Sequence, residues 1–328
     1  MKKILIFLTI ALLLAACSND NDPAATNEEG RIPLQVTGYI SNFHLGVTRA
    51  ADSHWEEGDE IGIYAVNSGD QPTNLQSDQH APFKLRNGGT GETDNHNDTY
   101  NFKVFFSNSP VYLPEDGSSI DVYGYYPYNA TYTNPQDIPV DVSMQNPQKN
   151  IDLMTTGIVS RTTINGDTRI NKLNPSCQLL FHHRLTKLVF NLKPGEDFTN
   201  KDIEGATSLT IGSQKTTATY NIYTDELTCV GESNQTITAA VGSTKSGYEK
   251  TFEAIVLPND ADNNPAIDCK VTIVVDGRSY SFTIIRTGEE SNIKVKTVSF
   301  FAGYKYEYNV TVYPFTITVD PDKYTEQW

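Results

Sequence analysis

"YKYEYNVTVYPFTITV", residues 304–319, decides the fold class. Tyr304, Tyr306, Tyr308, Val310 and Val312 fall on every second position, with Lys, Glu, Asn and Thr between them. Side chains of an extended chain alternate between two faces, so this spacing gives a strand with one apolar face. The three tyrosines continue into two valines on that face, as a core-facing stripe does. After Pro314 the apolar set moves to Phe315, Ile317 and Val319, so the chain bends or changes partner near Tyr313. Two readings fit this shift: a hairpin of two strands, or a last strand able to leave its own sheet.

The same period recurs in "IPLQVTGYI" (32–40), "EIGIYAV" (60–66), "SIDVYGYYPY" (119–128), "TKLVFNL" (186–192), "CKVTIVV" (269–275) and "RSYSFTII" (278–285). These runs are rich in Val, Ile, Thr, Tyr and Phe and are separated by Gly, Pro, Asn and Asp clusters, the pattern of strands and turns. No helical stripe extends beyond about two turns. The expectation is an all-β chain, with enough strands for two antiparallel sandwiches rather than one sheet. Long polar inserts at 67–100 and 129–150 read as surface loops with room for short strands. The character of the chain changes near Asn174, which sets the expected division: residues 32–173 and residues 174–328.

The N-terminus has a different logic. Lys2 and Lys3 precede an apolar run from Ile4 to Ala16 that ends in "LAAC" (14–17), the charged, apolar and small-residue regions of a secretory signal over residues 1–16. The run is shorter than the roughly 20 apolar residues of a membrane-spanning helix. Leu14-Ala15-Ala16 directly before Cys17 resembles the lipobox of bacterial lipoproteins, which implies cleavage ahead of Cys17, its acylation, and attachment to a membrane through lipid alone. Residues 17–31 are polar and acidic and read as a flexible tether. The formal charge of -15 is scattered rather than blocked, which argues against nucleic acid as a partner. Beyond Cys17 stand Cys177, Cys229 and Cys269, none in a CxxC spacing, and they read as buried thiols.

No nucleophile elbow, HExxH helix, glycine-rich phosphate loop or paired-cysteine zinc spacing is present, so no catalytic residue, metal or cofactor is expected. His182 and His183 are adjacent and point to opposite faces of a strand, with His183 among apolar neighbours and in need of a hydrogen-bond partner. "DNHND" (94–98) and "DADNN" (260–264) carry alternating oxygen side chains, but Pro265 and Val271 stand where a calcium loop needs glycine and glutamate. Both read as solvated turns. Eighteen tyrosines support an alternative function, a monomeric surface lipoprotein that binds glycans by stacking.

Taken in order, "WEEGDEIGIY" (55–64), "DVYGYYPY" (121–128), "DLM" (152–154), "LLFHHRLTKLVFNL" (179–192), "AIVLP" (254–258) and "FAGYKYEYNVTV" (301–312) resemble the fimbrillin-like subunits of type V pili. The resemblance implies two tandem transthyretin-like antiparallel β-sandwich domains and a lipoprotein carried to the outer membrane and cell surface. It further implies an arginine-specific protease that removes an N-terminal strand, and other fimbrillin subunits that fill the groove so opened. On these residues the removable segment is 32–49, with Arg49 and Ala50 flanking the cut and Arg31 a second candidate whose cleavage frees only the lipid tether. The donor strand is the C-terminal one with Phe315, Ile317 and Val319. The expected role is a structural subunit of surface fimbriae that supports adhesion.

Overall fold

Among the described residues the alternating runs become strands. The computed structural model describes residues 30–41, 55–56, 58–70, 80–85, 103–164, 166–261, 264–265, 269–285, 294–296, 300–321 and 326–327. Its first strands are β1 (Gln35–Ile40), β2 (Glu60–Asn67), β3 (His80–Leu85), β4 (Lys103–Phe106), β5 (Ile120–Tyr126), β6 (Ile138–Asp141), β7 (Met154–Val159) and β8 (Ser176–His183). All but β6 join in one hydrogen-bonded path, β1-β4-β3-β2-β5-β7-β8, which returns to β1 and closes a barrel. In the N-terminal part of this all-β chain the sheet edges meet. Closure removes the unpaired edges that a sheet otherwise exposes.

The strand that follows the expected division at 174 is β8, and it belongs to this barrel. After it come β9 (Thr186–Pro194), a one-turn helix α1 (Asn200–Glu204), β10 (Ser208–Gln214), β11 (Thr217–Asn221), β12 (Glu226–Val230), β13 (Gln235–Thr238), β14 (Ala240–Val241) and β15 (Lys250–Val256). A short hairpin of β16 (Asp260–Ala261) and β17 (Asn264–Pro265) leads to β18 (Cys269–Val275), β19 (Arg278–Ile285), β20 (Lys294–Lys296), β21 (Tyr304–Val312), β22 (Ile317–Pro321) and β23 (Glu326–Gln327). A five-stranded sheet, β13-β10-β18-β19-β20, faces a six-stranded one in which β14-β15-β9-β21-β22 are consecutive and β23 also pairs with β21. Phe190 of β9 meets Phe282 of β19 between them, with ring centroids 6.2 Å apart. This is the sandwich that alternation predicts, and Tyr306, Tyr308, Val310 and Val312 point into it.

Two strands break the alternation, and packing explains why. Every residue of β5 is buried. Ile120, Val122 and Tyr126 fill the barrel, while Tyr123 and Tyr125 on the other face join the core of the second part. β2 does the same, with Ile61, Ile63 and Ala65 inside and Tyr64 and Val66 outside. A wall buried on both faces reads as a continuous apolar run. β6 ties the halves together as well, pairing antiparallel with β11. Tyr220 of β11 reaches Thr155 Oγ1 of β7 at 2.8 Å and Asp225 at 2.5 Å, and Arg184 bonds both Thr155 and Asp225 at 2.6 and 3.0 Å.

Cys177, Cys229 and Cys269 are buried and form no disulfide. No helix among the described residues is long and apolar enough to cross a membrane. Residues 94–98 lie outside the described residues.

Candidate assembly groove

The strand nearest the N-terminus occupies a seam between two others. β1 pairs antiparallel with β4, Val36 opposite Phe105, and parallel with β8 from Gln35↔Ser176 to Ile40↔Phe181. The ladder extends past both ends: Leu34 N donates to Val111 O at 2.8 Å, and Ser41 N donates to Phe181 O at 2.8 Å. Leu34, Val36, Gly38 and Ile40 turn into the barrel, as the period-two reading of 32–40 requires, and Ile32 packs partly against the same core.

Trp55 holds β1 from within. Its indole is buried against Phe105, Tyr126 and Phe181, each edge to face at centroid distances of 5.1, 5.5 and 5.2 Å. Its Nε1–H donates to Gly38 O at 3.1 Å. A buried indole keeps its polar atom satisfied in this way. The turn after it is fixed by Asp59, whose carboxylate accepts from Glu56 N at 2.7 Å and from the Tyr126 hydroxyl at 3.2 Å. Burial pushes the Asp59 carboxyl above its usual range, against the lowering effect of those two bonds. At the far end of β8, His183 Nδ1 meets Asp152 at 2.9 Å, the partner that its apolar setting demanded.

The other expected residues are distributed as follows. Arg31 sits with its guanidinium 4.1 Å over the Tyr112 ring. Cys17, Arg49 and Ala50 lie outside the described residues. Ile317 is buried and Val319 half-buried in β22, while Phe315, in the turn before it, is exposed. β22 is the antiparallel partner of β21, Val312 opposite Ile317 and Val310 opposite Val319, so the hairpin is the arrangement in the monomer. The Pro314 carbonyl accepts from Arg278 and from the Tyr280 hydroxyl, both at 3.2 Å, which pins that turn to β19. Gly38 and Phe105 were not singled out by sequence reasoning; an isolated glycine inside a strand pattern is the one signal that points to a close approach there.

Several of the aromatic residues are spent on the core and offer no stacking face to solvent. Trp55, Tyr64, Tyr123, Tyr125, Tyr126 and Tyr308 are all buried. The cavity beside Trp55 holds about 130 Å³, below the roughly 300 Å³ at which small-molecule sites begin. Among the described residues no three His, Cys, Asp or Glu side chains converge as a metal site.

Residues 48–328 match the model of the family described as fimbrillin-like. The chain belongs to this family. Residues 1–18 of this fimbrillin-like chain match a prokaryotic membrane lipoprotein lipid attachment site, and Cys17 is the one cysteine within them. The protein named "Putative fimbrium subunit Fim1C" of Bacteroides uniformis is 30% identical over 317 residues, covering 93% of this chain and 88% of that one. A crystal structure of a putative cell adhesion protein from Bacteroides uniformis superposes with a TM-score of 0.66 at 26% identity, covering 92% of this chain and 100% of that one. A second, from Bacteroides ovatus, gives 0.63 at 15% identity over 91% and 98% of the two chains, and bears on the fold alone. The fimbrillin-like chain is thus a structural subunit of fimbriae and not an enzyme, anchored through lipid at the outer membrane and cell surface. Its partners are other fimbrillin subunits.

Proposed function

We propose that this fimbrillin-like subunit assembles by protease-triggered strand exchange. A cut between Arg49 and Ala50 by an arginine-specific protease releases the segment 32–49 and with it β1 from the seam between β4 and β8, and a strand from the next subunit takes its place. The observation that carries this reading is the position of β1: among the described residues it is the barrel strand nearest the N-terminus, and it joins β4 to β8. Its loss leaves two facing edges with unpaired backbone groups, at about 1–3 kcal/mol each, and an apolar slot where Leu34, Val36 and Ile40 stood. An extended segment satisfies both at once. Cys17 carries the lipid, and a cut at Arg31 releases the subunit from that tether without opening the barrel.

The donor is the C-terminal strand. β22 lies at the margin of its sheet, and Phe315, Ile317 and Val319 give it the alternating apolar face that a groove accepts. Digesting the purified chain with an arginine-specific protease, in the presence of partner subunits, tests the mechanism. Polymer ladders on a non-denaturing gel are expected from the native chain, and none from Arg49→Ala. Polymers from Arg49→Ala, or a digested chain that stays a fully stable monomer, would overturn it.

A further inference from the structure

Gly38 stands at the middle of β1, and the opposite wall shows why. A Cβ built on it meets Phe105 Cε2 at 2.7 Å and Phe105 Cδ2 at 3.3 Å, with Phe181 Cε2 at 3.4 Å. Real Cβ atoms essentially never approach other atoms below 3.0 Å. Nor can the Phe105 ring swing aside easily: it is buried and lies edge to face with Trp55, which in turn packs on Phe181 and Tyr126. Aromatic rings therefore fill the place where a side chain at position 38 belongs, and the Trp55 Nε1–H engages the backbone carbonyl left accessible there. Two residues to either side the wall opens again, and Val36 and Ile40 sit fully inside.

We propose that this aromatic plug is a specificity site of the groove, selecting a partner strand of the pattern aliphatic-x-Gly-x-aliphatic. The inference rests on the strand-exchange reading above. Phe105 belongs to β4, Phe181 to β8, and Trp55 follows Arg49, so all three stay with the barrel when residues 32–48 depart. An incoming strand meets the same plug that Gly38 meets now. The C-terminal segment of this chain has no glycine between Tyr304 and Trp328, and in "FTITV" (315–319) a branched isoleucine stands between the two outer apolar residues. The groove therefore rejects a second copy of this chain and takes a strand from a different subunit, one with glycine at the centre of its donor.

The test uses the full chain cut after Arg49 and synthetic peptides that displace a labelled 32–48 peptide. The Gly38→Val form of that peptide is expected to bind about 10- to 100-fold more weakly than the native one, the range that overpacking a buried site gives. Peptide 313–328 is expected to be similarly weak and to gain at least about tenfold with Ile317→Gly, the range that relieving such an overpacked contact gives. In Phe105→Ala, where the plug is opened, the gap between native and Gly38→Val peptides should shrink to a few-fold. Equal binding of native and Gly38→Val peptides, or tight binding of unaltered 313–328, overturns the specificity site while leaving strand exchange standing. Failure of the native 32–48 peptide to bind at all overturns both.

Discussion

Trp55 shows how much one residue can carry. A tryptophan ahead of a Gly-Asp turn and a strand was readable in the sequence as packing around that turn, and the structure buries it against three rings. What the sequence could not supply was its partner Phe105, because β2 and β3 lie between the two along the chain and nothing local fixes the register across them. Trp55→Ala should cost roughly 3–5 kcal/mol, the range for removing a large buried ring, and a melting curve reads the loss directly; an unchanged melting temperature would show that the indole is not part of the core. His80 makes a second case. It stacks on Tyr64 at 4.6 Å and its Nε2 lies 2.6 Å from the Tyr125 hydroxyl, which itself donates to Asn129 O. Burial lowers the imidazole from its ordinary 6.5 to about 4. The unfolded chain then binds the proton first, so this contribution is complete above pH 6.5 and is lost as the pH falls toward 4. Asp59, raised by burial, acts in the opposite sense. The difference between the native chain and His80→Phe isolates the histidine: denaturation between pH 7 and 4 should show a steeper acid loss in the native chain, and parallel curves would refute the assignment.

The β21–β22 hairpin turns a puzzle of phase into geometry. Residues opposite one another in an antiparallel pair share a face, and here Val312 faces Ile317 and Val310 faces Val319. An even position therefore pairs with an odd one, and the shift of the apolar set at Pro314 is what this turn demands. Sequence alone could not choose between hairpin and departing strand, since both place Ile317 and Val319 on one face. The barrel was less legible still: alternation finds each strand, but the parallel pairing of β1 with β8 joins residues about 140 positions apart, and no local pattern encodes it. If the hairpin is the resting state, Ile317→Ser should destabilise the six-stranded sheet by about 2–4 kcal/mol, as truncation of a buried aliphatic does. Hydrogen exchange reads it, with faster exchange expected at β21 and β22. Unchanged protection at β22 would mean that Ile317 does not hold the strand down.

At the scale of the whole molecule, the shared wall of β2 and β5 couples the barrel to the sandwich. Tyr64, Val66, Tyr123 and Tyr125 leave the barrel surface to enter the core of the second part, β6 crosses to pair with β11, and Arg184 joins Thr155 to Asp225 at the junction. Separating the halves would expose these rings to water, and apolar burial of that kind is worth about 25 cal/mol per Å². The chain should therefore unfold as one cooperative unit despite its two architectures. It should also keep its sandwich while the barrel loses a strand, because the wall that touches the sandwich lies away from the seam between β4 and β8. Two observables follow. In urea, amides of β5 and β9 should open with the same free energy and the same denaturant slope. After removal of residues 32–48, protection should fall at β4 and β8 and persist at β9 and β21. Independent opening of β5 and β9 in the intact chain would break the coupling, and loss of protection at β9 on strand removal would mean that the seam, and not the shared wall, holds the two parts together.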